Sequence, residues 1–232
     1  GTLMAMLVEH RRVDLDAPVA RYLPAFRGTP VEGTLTVRHL MNHTSGMQGH
    51  WGDEDNDFEE LAAGYSPEML IGETYQYNGT AFALAGKVIE AVSGETVPAF
   101  IKRHLLDPLD CCDTDVVGTS WDGLSTPLDL ARIGQLLLNK GAYGDFRFFE
   151  YEAYQAILPR PLDQVIPGTW RKYGLGTVFF TEEGLGEGTF GQGAASSTIF
   201  RVDPENDLVI VVTRWQEGDG YREHKEKLFQ TI

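Results

Sequence analysis

Residues 71–95 read IGETYQYNGTAFALAGKVIEAVSGE, and the two halves of this stretch follow different rules. The first half is polar, with Tyr75 and Tyr77 set among glutamate, threonine, glutamine and asparagine. In the second half Ala81, Leu84, Ala85, Val88 and Val92 recur at steps of three and four, the period of a helix that buries one face. Asn78 or Thr80 can cap its first turn, and Gly94 suits the left-handed residue that stops it. The spacing therefore predicts a loop feeding a buried helix, which would hold the loop rigidly. A tyrosine so held can aim its hydroxyl into a cleft, where nearby positive charge would ease proton transfer. The same pattern also fits an ordinary packed tyrosine with a satisfied hydroxyl.

Composition bounds what surrounds this stretch. The chain has 232 residues, 42% of them hydrophobic, enough to bury one sizeable core in one or two closely joined domains. A formal net charge of -15 argues against nucleic acid and anionic membrane surfaces as partners, because both recruit basic patches. No apolar run is long enough for a membrane span, and the first residues lack the pattern of a signal peptide, so the compartment is not assigned. Cys111 and Cys112 are adjacent, which excludes a disulfide framework; a buried vicinal pair is expected, and no metal site, since no histidine cluster lies beside them.

Several stretches together resemble one superfamily. Gly72, Tyr75, Tyr77, Phe82, Leu84 and Gly86, followed by KVIEAVSG, are similar to the second motif of the serine β-lactamases, penicillin-binding peptidases and related esterases. Its relatives include class C β-lactamases, D-alanyl-D-alanine carboxypeptidases and family VIII esterases. The family motif is Tyr-x-Asn, often with Ser between; here Tyr77 keeps the tyrosine, while Asn78 and Gly79 stand where Ser and Asn are usual. Residues 7–26 resemble the family segment that ends the nucleophile helix, residues 35–47 resemble LTVRHLLTHTSGL, and residues 121–141 resemble GGLSTARDLARFGQLLLNGG. In residues 35–47, His39 and His43 sit one turn apart. A metal pair would need the glutamate of HExxH, and the competing reading is a structural turn whose histidine and hydroxyls satisfy buried backbone groups. The family nucleophile motif SxxK puts serine and lysine on one helical face, where the amine can take the hydroxyl proton. No SxxK and no GxSxG occurs in residues 1–232, and the alignment would put SxxK several residues before Gly1.

The third motif, Lys-Thr-Gly or His-x-Gly in the family, aligns with Gln192, Gly193 and Ala194. The resemblance gives the next backbone N–H, that of Ala195, to the developing oxyanion. Neutral Gln192 can orient a carbonyl but cannot replace a cation; a plain glycine-rich edge strand is the competing reading.

The other segments complete the expectation. Residues 48–70 read as an acidic lid, or as a solvated loop with one short helix. Residues 98–114 and 150–158 read as further helices, and residues 125–141 as a helix capped by Ser125–Thr126 with Leu130, Ile133, Leu137 and Leu138 on its face. Strands are expected over residues 173–181, 196–202 and 208–214, then a terminal helix over residues 221–232 with Leu228 and Ile232 on one side. The resemblance implies an α+β, β-lactamase/transpeptidase-like fold: an antiparallel sheet flanked by helices, without the N-terminal strands and nucleophile region. It would be one domain over 1–232, with a helical lobe at about 28–160 and the sheet and terminal helix at about 170–232. The implied function is a serine hydrolase acting through an acyl-enzyme on a small-molecule or peptide ester or amide, with no cofactor, no metal, no nucleic-acid partner and no membrane span. Tyr77 is the candidate base, and Asn78, Gly79, Gln192, Gly193, Ala194 and Ala195 are the candidate substrate-binding residues. Without SxxK, residues 1–232 alone are expected to be inactive, and a partner segment or second chain is expected to complete the sheet. The alternative is a catalytically inactive relative that keeps the cleft for a ligand or partner. Family members are often periplasmic or secreted.

Overall fold

The computed structural model describes residues 1–47, 58–120, 123–216 and 218–232. Helices are α1 (Thr2–Glu9), α2 (Val37–Met41), α3 (Phe58–Gly64), α4 (Gly79–Ser93), α5 (Val97–Ile101), α6 (Pro127–Leu138), α7 (Tyr151–Ile157) and α8 (Tyr221–Gln230). Two-residue strands pair as antiparallel ribbons: β1 (Asp115–Val116) with β2 (Gly123–Leu124), β3 (Ala142–Tyr143) with β4 (Phe146–Arg147), and β5 (Arg160–Pro161) with β6 (Lys172–Tyr173). The main sheet is antiparallel in the order β10-β9-β8-β7, built from β7 (Val178–Phe179), β8 (Phe190–Gly193), β9 (Ile199–Asp203) and β10 (Leu208–Val212). It is a mixed fold of antiparallel sheet and helices.

Helix α4 is the axis of the helical part. The side-chain oxygen of Asn78 accepts from the Ala81 N–H at 3.1 Å, which starts the helix, and Gly94 at φ 77° ends it. Its Ala81, Ala83, Leu84, Ala85, Val88 and Ile89 are buried in one core with Leu3, Met4 and Leu7 of α1, Leu40 of α2 and Phe58 of α3. Phe190 and Val202 reach into the same core from the sheet. Full burial of side chains of this size contributes about 1.5–3 kcal/mol each, so the core ties the α4 loop to β8. On one face of the sheet, α6 presses on β10 at Gly134, where a Cβ would overlap Val209. On the other, Phe229 of α8 packs with Ile199 and Ile210.

Several local expectations are corrected. The strand expected over residues 173–181 is split into β6 and β7, because Gly174 to Thr177 fold into a turn with Gly176 at φ 79° and the Gly174 N–H on the Thr177 carbonyl at 2.9 Å. On α6 the buried residues are Asp129, Gly134, Leu136, Leu137 and Leu138, while Leu130 and Ile133 are half-buried; the contact with β10 turns the helix. Phe229, not Ile232, anchors α8. Cys111 is buried but Cys112 is exposed, so the pair is split between core and solvent. Of residues 48–70, 48–57 lie outside the described residues, as does Trp121; the one short helix expected in this stretch is α3, which buries Phe58.

Candidate active site

The residue before α4 that matters most is Tyr77, which is 60% exposed at the mouth of an aromatic cluster. Its ring packs on the imidazole of His43, centroid to centroid 4.3 Å; Phe82 stacks on the same imidazole at 4.9 Å, and Tyr173 meets it edge-on at 4.9 Å. The loop is also held by its backbone. The Gln76 N–H donates to the His43 carbonyl at 2.9 Å, and the Asn78 N–H donates to His43 Nδ1 at 3.1 Å. The left-handed backbone at His43 lets one residue present both acceptors.

These bonds fix the protons. A backbone N–H can only donate, so Nδ1 accepts and the imidazole hydrogen sits on Nε2, which donates to the Tyr173 hydroxyl at 3.0 Å. The amide of Gln192 is fixed in the same way: its oxygen accepts from the Gly193 N–H at 3.0 Å and its Nε2 donates to the Gly176 carbonyl at 3.2 Å. Nε2 also donates to the Tyr173 hydroxyl at 3.1 Å. The Tyr173 oxygen thus accepts two hydrogen bonds inside a residue only 4% exposed. Burial pushes the phenol of Tyr173 up, so it stays protonated, and burial brings His43 down to about 4, so it stays neutral.

Arg201 supports β8 from beneath. Its guanidinium donates to the Gln192 carbonyl at 3.0 Å, sits 3.2 Å from the Phe180 ring centroid and pairs with Glu182 at 2.7 Å; Lys225 of α8 joins Glu182 at 2.9 Å. Burial pushes Glu182 up, but its bonds to Arg201 and Lys225 outweigh that and hold it below the usual carboxylate range. The other cation near the cluster is Arg171, 4.5 Å over the Tyr75 ring.

Among the residues predicted from sequence, Tyr77 and Gln192 are joined through two side chains, His43 and Tyr173. Gly193, Ala194 and Ala195 are exposed at the end of β8, and the Ala195 N–H makes no hydrogen bond among the described residues. Gly79 lies in the first turn of α4 with Ser120 against it. Asn78 caps α4 as its position predicts: it is 1% exposed, its oxygen accepts from the Ala81 N–H and its amide donates to the Met47 carbonyl at 2.8 Å. The Gln192 amide bonds to Gly176, Gly193 and Tyr173. His39 and His43 do not converge: His39 Nδ1 faces the Thr36 hydroxyl at 2.9 Å. Sequence reasoning missed Tyr173 and Arg201. The glycines that flank Tyr173 at 174 and 176 were its one local signal, and an arginine inside a β pattern was that of Arg201.

The β-lactamase family profile matches residues 1–228. The esterase/beta-lactamase LipL of Mycobacterium tuberculosis is 33% identical over 116 residues, covering 47% of this chain and 27% of LipL. A putative D-alanyl-D-alanine carboxypeptidase of Escherichia coli is 20% identical over 276 residues, covering 89% of this chain and 64% of that protein. A putative beta-lactamase from Bacteroides dorei has the same fold at TM-score 0.75, with 19% identity over 95% of this chain and 77% of the other. The chain spans 27% to 36% of the length of the first curated relatives it matches. With the profile running along nearly the whole chain, the protein belongs to the β-lactamase family.

Proposed function

We propose that this chain carries the cleft of a serine hydrolase that acts through an acyl-enzyme on an ester, amide or peptide. Tyr77 is the proton-transfer residue, and the Ala195 N–H is a donor to the oxyanion. The carrying observation is the chain of contacts from Tyr77 through His43 and Tyr173 to Gln192, and from Gln192 to the turn over residues 174–177, whose Leu175 carbonyl abuts Gly1 at the head of α1. In this reading the serine and lysine are supplied by sequence before Gly1. The test is labelling of the protein with its complete parental sequence by a fluorophosphonate, together with a chromogenic ester assay. Label on a serine followed three residues on by lysine, with Tyr77→Phe lowering kcat about 100-fold or more, supports the reading. Absence of both label and turnover overturns it.

The second reading, a relative that binds without turnover, is favoured by one observation. The amide of Gln192 is spent inside the protein, leaving no cation at the third motif. Ester binding without labelling would select it.

A further inference from the structure

We propose that His43 is the positioning residue of this site: its imidazole carries the ring of Tyr77 and, through the Tyr173 hydroxyl, sets the distance between the Tyr77 loop and the Gln192 strand. The inference rests on the reading of Tyr77 as the proton-transfer residue, and it assigns to a neutral bridge the spacing task that a third-motif cation cannot perform here.

Four observations carry it. His43 holds the loop at two backbone points, Gln76 and Asn78, on either side of Tyr77. Its ring is the surface against which Tyr77 packs, and Phe82 of α4 fixes that ring. Its Nε2 hydrogen bond to Tyr173 continues to Gln192, whose amide is pinned by the backbone of Gly176 and Gly193. Finally, His43 is 1% exposed and adopts φ 60°, a conformation unfavourable for a residue with a Cβ that persists where the surroundings over-determine it. The bridge also leaves the Tyr173 hydroxyl hydrogen unspent by either neighbour, since both neighbours donate to its oxygen. Tyr75, Tyr77 and Tyr173 are the titratable groups around the imidazole, and Arg171 stands beyond Tyr75.

The experiment starts on the unaltered protein with isotope-labelled histidine. Long-range nitrogen–proton correlation should show His43 as the neutral Nε2–H tautomer from about pH 8 to about pH 5, a range that stays above its depressed pKa. An Nδ1–H tautomer, or averaging of the two, would overturn the proposal. Next, fluorotyrosine is incorporated and the residue 77 signal is assigned by its loss in Tyr77→Phe. Tyr173→Phe keeps the ring and removes the bridge, so it should shift or broaden both the residue 77 signal and His43 Nε2. His43→Asn tolerates the left-handed backbone and keeps an acceptor for Asn78, but removes the bridge, and should act in the same direction. An unmoved residue 77 signal in Tyr173→Phe would overturn the proposal. In the ester assay, Tyr173→Phe should lower kcat about tenfold with KM within about twofold, as expected for lost positioning; an unchanged kcat also overturns it. If the unaltered protein turns over no ester, the hydrolase reading fails while the two spectroscopic results still decide the role of His43.

Discussion

At the scale of the residue, a few buried charged and titratable groups set how the protein responds to its surroundings. His43 has a folded pKa of about 4 against an ordinary 6.5 because burial penalises the imidazolium. The folded state therefore resists a proton that the unfolded chain accepts. The His43 contribution is complete above about pH 6.5 and is lost as pH falls toward 4, by up to about 3 kcal/mol. Urea unfolding at pH 7 and at about pH 4.5 should show this loss, and His43→Phe should flatten it. Glu182 and Asp203 lose stability in the same direction at lower pH, because both are held below the usual carboxylate range. For Asp203 burial works the other way, but the bonds from Gly186, Asn206 and Glu205 outweigh it. Arg201 gives a test at constant neutral pH. Its side chain is 4% exposed, and Arg201→Met would leave Glu182 with Lys225 alone and the Gln192 carbonyl without that donor. Removing one partner of a buried pair costs about 3 kcal/mol. Equilibrium denaturation should show that loss, and a change under about 1 kcal/mol would mean that the pair is already solvated.

At the scale of the element, α6 and β10 show how a glycine inside a helix is used. Gly134 removes the Cβ that would overlap Val209, letting the helix lie on the strand. Gly134→Ala gains up to about 1 kcal/mol in helix propensity, but it forces the two elements apart at a cost of about 1–3 kcal/mol. The expected net outcome is a loss of about 1 kcal/mol in thermal or urea unfolding, and a stabilised variant would show that the helix can shift freely. The helix α4 makes the complementary point. Its cap, Asn78, is also the residue whose N–H reaches His43, so one residue ends the loop, starts the helix and fixes the imidazole tautomer. Tight coupling of this kind is the reason a fifteen-residue helix can hold an exposed tyrosine in place.

At the scale of the whole molecule, β10 is a sheet edge: it pairs with β9 on one side and with no strand on the other among the described residues. Its sequence, LVIVV, carries no proline or charge to discourage pairing. We expect this edge to take a further segment or a second copy, so that residues 1–232 expressed alone sediment above the monomer. A monomer with one sharp cooperative transition would overturn that expectation. The sequence by itself determined the elements whose signals are local. The three- and four-residue spacing of Ala81 to Val92 between Asn78 and Gly94 could fold only as a capped helix, and the run of residues 203–207 could only turn β9 into β10. Tyr77 and the Gln192 strand were legible because they stand in a recognisable pattern. The tertiary structure alone decided how they are used. Which groups the Gln192 amide bonds, and whether His43 and Tyr173 meet at all, depend on groups up to 130 residues apart in the chain. Hydrogen-bond partners at such separations leave no periodicity to read. They are set by how the core packs α4 against β8, and that packing turns two separate motifs into one connected site.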